Sequence, residues 1–170
     1  MGNHDGRRFL FLALLFPTFL FGCAYSFTGS SVPPHLKTVA IPLFDDQSGA
    51  GEPGLREQFT NSLIGQFTRD NSLQVADKKD ADSMLEGVIL AVRDEPLVVE
   101  KGETVSKRRL TIVVRAAYQD MKLRKKLWEK ELSNWGAYEL GAGPAQRKNG
   151  IDEAIRKLTE DILLATVSGW

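Results

Sequence analysis

The chain has 170 residues, of which 42% are hydrophobic, and its 22 basic residues balance its 22 acidic ones. This length fits one domain, and the lack of a basic excess argues against a nucleic acid as the partner. Cys23 is the only cysteine, and His4 and His35 are the only histidines. This composition excludes a disulfide framework and argues against a zinc site or histidine-based catalysis.

The N-terminus has the pattern of a secretory signal. Arg7 and Arg8 precede an apolar run from Phe9 to Phe21, which Gly22 and Cys23 follow. A membrane-spanning helix needs about 20 apolar residues, whereas a signal peptide has a shorter apolar region after a basic start. We therefore predict that residues 1–22 are a cleaved signal peptide; a single-pass anchor or a buried helix is the alternative.

Leu20-Phe21-Gly22-Cys23 resembles the lipobox of bacterial lipoproteins. This resemblance implies cleavage before Cys23, with an S-diacylglycerol on its thiol and an N-acyl chain on its new amine. Several acyl chains anchor a protein firmly, because each buried methylene contributes about 0.8 kcal/mol. Ala24 stands where lipoproteins retained at the inner membrane have aspartate, which implies the outer membrane.

Residues 23–36 form the predicted lipidated N-terminus and linker, and residues 37–170 the predicted domain. Residues 38–44 are β-rich, with Pro42 restricting them to a strand end or edge. A loop is expected over 45–54. The next segment is a predicted helix, ended by Asn71, because apolar residues recur every fourth position: Leu55, Phe59, Leu63 and Phe67.

Four further strands are predicted, over 73–76, 84–93, 109–119 and 127–135. The strand over 84–93 is apolar on both faces, with Leu85, Ile89 and Ala91 on one and Val88, Leu90 and Val92 on the other. Such a strand is expected at the centre of a sheet. Gly87 is expected to mark a bulge.

Residues 136–150 are rich in glycine and alanine and are expected to be a loop. A second amphipathic helix is predicted from Ile151, with Asp152 and Glu153 in its first turn, where the helix dipole favours acids. The order β-α-β-β-β-β-α predicts an α+β two-layer sandwich: a mixed or antiparallel sheet of about four to five strands with two amphipathic helices on one face.

Several motifs, in chain order, resemble the LptE family of lipopolysaccharide-assembly lipoproteins. The motifs are Gly22-Cys23-Ala24-Tyr25-Ser26-Phe27, Pro33-Pro34-His35-Leu36-Lys37-Thr38-Val39-Ala40-Ile41-Pro42, Leu85-Glu86-Gly87-Val88-Ile89, Arg109-Leu110-Thr111-Ile112-Val113-Val114, and Trp128-Glu129-Lys130 with Trp135 and Tyr138. They span nearly all of the predicted mature chain.

The resemblance implies an α+β sandwich that sits in the lumen of LptD, a large outer-membrane β-barrel. There it would act as a plug and assembly factor while lipopolysaccharide passes to the outer leaflet. It implies no enzymatic activity and no cofactor besides the lipid on Cys23. The expected location is the outer membrane, facing the periplasm or within the barrel.

One stretch of the domain has an asymmetric charge. Between residues 107 and 130, basic residues far outnumber acidic ones. Arginine can pair bidentately with phosphate, and lipid A is a phosphorylated anionic lipid. Lys107, Arg108, Arg109 and Arg115 are therefore the candidate residues for binding lipopolysaccharide or the partner. A solvated sheet face, protected by charge against aggregation, is the alternative.

Two other functions are compatible with parts of the sequence. The strand over 38–44 followed by a helix resembles the curli-secretion and TolB N-terminal type of domain, which implies a periplasm-facing lipoprotein adaptor without a barrel. A hydrolase of cell-wall material is the third class. The sequence has no nucleophile elbow, phosphate-binding glycine loop or metal-ligand set, which argues against an enzyme.

Overall fold

The computed structural model describes residues 32–97, 107–141 and 143–168. The predicted signal peptide and Cys23 lie outside these residues. The elements, in chain order, are β1 (Thr38–Ala40), β2 (Asp45–Asp46), α1 (Leu55–Asp70), β3 (Gln74–Val75), β4 (Ser83–Pro96), β5 (Lys107–Asp120), β6 (Lys125–Glu139) and α2 (Pro144–Val167).

The strands form one mixed sheet in the order β3-β1-β4-β5-β6. β1 is parallel to β3 and β4, whereas β4, β5 and β6 form an antiparallel meander. β2 pairs in parallel with the middle of β4 and makes the sixth strand. The predicted α+β sandwich is confirmed, with one more short strand than expected because the chain breaks at Pro42 between β1 and β2.

The core lies between the sheet and the two helices. We call the face of the sheet that packs on the helices the inner face and the opposite one the outer face. The side chains of β5 alternate between the two faces, and its inner-face residues are fully buried: Leu110, Ile112, Val114, Ala116 and Tyr118. The four residues at every fourth position of α1 are at most 1% exposed, and Asn71 ends the helix with φ 59°.

β4 differs from the prediction in the position of its bulge. Its register with β5 shifts between Ile89 and Ala91, so the bulge lies at Leu90 and not at Gly87. A bulge reverses the alternation of faces beyond it. Val92 therefore packs against the core, and Ala91 pairs with Val113 on the outer face. Gly87 is needed for a different reason, because a Cβ there would lie 2.5 Å from the ring of Phe44.

The loop predicted over 136–150 is wrong. β6 continues to Glu139, and α2 begins at Pro144, a residue that suits a first helical turn. Two of the glycines that indicated a loop serve close packing instead: a Cβ on Gly136 would lie 2.0 Å from the carbonyl oxygen of Gly150. Because α2 starts earlier than expected, Asp152 and Glu153 are not in its first turn.

Candidate functional surface

The four predicted site residues of β5 do not lie on one face. Side chains alternate along a strand, so Arg108 lies on the inner face while Lys107, Arg109 and Arg115 lie on the outer face. Leu110, two positions after Arg108, is fully buried in the core. The four residues are neighbours in sequence and form one predicted site, but the structure separates Arg108 from the other three.

Arg108 belongs to a polar cluster at the end of the sheet. Its Nε donates to Asp94 Oδ1 at 2.7 Å, and its Nη2 donates to the Asp94 carbonyl at 2.8 Å. Tyr138 donates its hydroxyl to Asp94 Oδ2 at 2.7 Å, and Arg147 of α2 lies 3.6 Å from the same oxygen and pairs with Glu52. Arg108 therefore has a structural role: through Asp94 it belongs to a set of contacts that link β4, β5, β6 and α2.

Asp94 is the acidic centre of that cluster. Burial raises the pKa of its carboxyl group, but hydrogen bonds from Tyr138 and Arg108 and the positive charges of Arg108 and Arg147 outweigh the burial. The pKa of Asp94 therefore lies below its ordinary value, and the carboxylate stays ionised.

Arg109 makes a different set of contacts on the outer face. Its guanidinium carbon lies 4.8 Å from the ring centroid of Trp135, and the Lys157 ammonium lies 4.5 Å from the same ring. The Nε of Arg109 is buried without a hydrogen-bond partner among the residues that the structure describes. Cation–π contact therefore orients Arg109 while one of its donors stays unsatisfied.

Arg115 lies beside a shallow groove on the outer face. Its Nη2 is 3.8 Å from Glu131, and both side chains are more than half exposed. Such an exposed pair contributes little to stability. The groove is lined mainly by residues of β4 and β5 and of the segment after β1, including Pro42, Leu43, Val88, Arg115 and Ala117. Arg115 is thus a weakly paired cation beside a groove that combines apolar side chains with the acidic Asp45, Glu86 and Glu129.

The opposite end of the sandwich holds a second polar cluster, which the sequence did not reveal. The residues before β1 are fixed there: Asp82 accepts hydrogen bonds from the backbone N–H groups of Lys37 and Thr38. Lys122 pairs with Asp82 at 2.7 Å and donates to the His35 carbonyl at 3.0 Å. The buried Asp120 lies 2.5 Å from His35 Nε2. These residues are far apart in the sequence, and only the folding of the chain places them next to one another.

The family model for LptE, described as lipopolysaccharide assembly, matches residues 36–166. The chain belongs to the LptE family. This membership gives it a role in lipopolysaccharide assembly and favours that reading over the curli-secretion and TolB type of adaptor. No curated protein matches the chain significantly.

Solved structures with low sequence identity share the fold. Protein XCC0632 from Xanthomonas campestris is 11% identical, with 81% of this chain and 91% of that chain covered and a TM-score of 0.57. The hypothetical protein CT253 from Chlamydia trachomatis is 9% identical, with coverages of 75% and 94% and a TM-score of 0.55. A minor lipoprotein from Acinetobacter baumannii is 16% identical, with coverages of 81% and 94% and a TM-score of 0.50.

Two further findings bear on the type of site. Within residues 32–97, 107–141 and 143–168, no group of three or more histidine, cysteine or acidic side chains could hold a metal ion. None of the helices in this part of the chain is both long and apolar enough to cross a membrane.

Proposed function

We propose that the protein is the lipoprotein partner of an LptD-type outer-membrane β-barrel. In this role residues 1–22 are removed, Cys23 carries the S-diacylglycerol and N-acyl chains, and residues 37–170 plug the barrel lumen and assist its assembly. The protein helps lipopolysaccharide reach the outer leaflet by positioning and contact, without catalysing a reaction and without a cofactor besides its lipid.

The outer face of the sheet is the observation that carries this proposal. Both helices pack on the inner face, and no described element covers the outer face. That face combines a central apolar strip, with the partly exposed Val88, Ala91 and Ala117 around the buried Val113, with cations at Arg109 and Arg115. A wide surface of this kind suits a partner that surrounds the domain, since contacts with apolar and charged groups can form together.

We propose that Arg109 and Arg115 contact lipid A phosphates or acidic groups of the barrel wall. Arg109 forms no ion pair within the described residues and Arg115 is only weakly paired with Glu131, so both guanidinium groups are available to an anion. Lys107 is exposed on the same face and can assist. Arg108 is left out of this surface, because its guanidinium is held by Asp94.

The test of the partnership is recovery of tagged, lipidated protein from native outer membranes in detergent, followed by mass spectrometry. Recovery of an LptD-type barrel in near one-to-one amount is the expected result. If no large barrel is recovered while the protein is intact and lipidated, the partnership is wrong and an adaptor role takes its place.

The outer-face cations have their own test. Arg109→Gln with Arg115→Gln is expected to weaken binding of purified lipopolysaccharide or recovery of the barrel by about thirtyfold, since each of the two charge-assisted contacts contributes about 1 kcal/mol or more. Arg56→Gln is the matched control, because Arg56 is a half-exposed arginine on α1. Equal binding by the double variant and the control would leave the outer face as a solvated surface.

A further inference from the structure

The turn between β5 and β6 exposes apolar side chains at its tip. Leu123 is 66% exposed and Met121 is 37% exposed, although both lie in a short turn that polar residues would suit. Asp120, at the start of the turn, is buried and accepts the backbone N–H of Leu123 at 2.8 Å. The turn is therefore held rigidly with its apolar side chains facing outward.

One residue of this turn has a backbone conformation that is unfavourable for its type. Arg124 has φ 52°, in the left-handed region that glycine or asparagine adopts at lower cost. An arginine held in that conformation costs stability, which indicates that its charge serves another purpose.

The turn is also basic: Lys122, Arg124, Lys125 and Lys126 all lie within it or beside it, and all are exposed. The nearby acids are already paired, Asp82 with Lys122 and Glu129 with Lys126. The side chains of Arg124 and Lys125 form no hydrogen bond or ion pair with any residue in the described part of the chain, although the backbone of Lys125 pairs with that of Asp120. The tip thus presents two exposed apolar side chains together with two unneutralised cations.

The turn touches the segment that leads to the predicted lipid. Lys122 donates to the His35 carbonyl, and His35 contacts Asp120. Nine residue steps separate Val32 from Cys23, which at most span about 32 Å when fully extended. A lipid on Cys23 would therefore let this end of the sandwich reach the bilayer surface without by itself fixing which face of the domain meets it.

We propose that the β5–β6 turn, residues Met121–Lys125, is a second contact with the membrane, in which Leu123 and Met121 enter the interfacial region of an anionic leaflet while Arg124 and Lys125 bind its headgroup phosphates. The acyl chains on Cys23 would anchor the protein at one point, and a basic, apolar turn adds a second contact that fixes the orientation of the domain. This inference rests on the lipidation of Cys23 and places the linker end, with this turn, outside the barrel mouth, while the rest of the domain fills the lumen.

The experiment uses the full-length lipidated protein in vesicles without any barrel. Cys23 is the only cysteine and its thiol carries the lipid, so Leu123→Cys provides one free thiol for an environment-sensitive dye. Leu140→Cys is the matched control, because Leu140 is 49% exposed at the opposite end of the sandwich. Mass spectrometry of each preparation establishes that Cys23 is lipidated.

The expected result is a blue-shifted emission, about twofold stronger, for the dye at 123 in vesicles of three parts phosphatidylethanolamine to one part phosphatidylglycerol. Shallow lipid-borne quenchers should quench it there, and the dye at 140 should not change. Arg124→Gln with Lys125→Gln should reduce the partition of the turn into these vesicles by roughly fivefold per charge, with little effect on phosphatidylcholine.

Equal, water-like emission at positions 123 and 140 on anionic vesicles, with Cys23 lipidated, would overturn the proposal. So would protection of position 123 that occurs only after an LptD-type barrel is added, because the turn would then contact protein. The barrel partnership is tested by the separate recovery experiment, so failure of one proposal is distinguishable from failure of the other.

Discussion

The two ends of the sandwich both contain carboxylates that pair with basic groups, but they use them for different tasks. At the linker end, Asp82 and Asp120 bind the backbone N–H groups of Lys37, Thr38 and Leu123, which fixes the segment before β1 and the β5–β6 turn. At the far end, Asp94 binds side chains that come from β5 and β6. One end fixes the path of the chain, whereas the other joins elements that are already formed.

The pKa values of Asp82 and Asp94 are both lowered, but by different balances of hydrogen bonding and burial. A hydrogen bond from Lys122 and one from the backbone of Lys37 outweigh burial and lower the pKa of Asp82 to about 2. The pKa of Asp94 is also lowered, but there burial is the largest influence and opposes the shift. Both groups stabilise the folded state when ionised, and both lose this contribution as the pH falls through their folded pKa values.

The largest effect is expected where β6 and α2 approach most closely, at the far end. Gly136→Ala places a Cβ against the backbone of Gly150, which cannot move away as a side chain can. We expect the free energy of unfolding to fall by about 2–3 kcal/mol, as in other overpacked sites. Urea unfolding of the purified protein, followed by circular dichroism, measures the change.

Gly65→Ala is the control for that variant. A Cβ there meets only the end of the flexible Arg69 side chain at 3.4 Å. Since alanine favours the helix, this variant should be unchanged or more stable, by up to about 1 kcal/mol. Similar loss of stability in both variants would show that the close approach at Gly136 has no special role.

The next effect concerns Asp94. Asp94→Asn removes the charge that holds Arg108 and Arg147, and we expect the free energy of unfolding at neutral pH to fall by about 2 kcal/mol. The loss should shrink as the pH drops below the ordinary carboxyl value of 3.8, because the wild-type carboxylate is then being protonated as well. Glu95→Gln is the control, since Glu95 is exposed on the other face. A pH-independent difference between Asp94→Asn and wild type would contradict this account.

A smaller effect is expected at the linker end. Asp82→Asn keeps an acceptor for the backbone of Lys37 and Thr38 but loses the ion pair with Lys122. We expect about 1 kcal/mol of destabilisation and faster hydrogen exchange at those two amides above pH 4, with the difference vanishing toward pH 2. Asp80→Asn, at a carboxylate that is 68% exposed, is the control. Unchanged exchange in Asp82→Asn would show that this carboxylate does not hold the segment before β1.

The smallest effect has the opposite sign. Arg124→Gly relieves the left-handed backbone strain in the β5–β6 turn and should stabilise the fold by about 0.5–1 kcal/mol. Thermal unfolding with Lys125→Gln as the control measures it, because Lys125 has no positive φ. A loss of stability in Arg124→Gly would mean that the side chain of Arg124 stabilises the turn by contacts of its own.

The family and the fold class were accessible from the sequence, because both depend on local patterns. The four-residue spacing from Leu55 to Phe67 and the alternation from Leu110 to Tyr118 each encode a buried stripe, and a buried stripe needs an opposing layer. The boundaries around residues 136–150 were not accessible, since glycine signals a loop in sequence and a close approach of backbones only in the fold.

The grouping of the polar residues was decided by the tertiary structure alone. Alternation along β5 could have separated Arg108 from Arg109, but only strand pairing brings Asp94 to Arg108, and only the return of β5 brings Asp120 to His35. Sequence patterns report how a segment buries its own side chains. Which distant charges meet depends on register and packing, and those are properties of the whole chain.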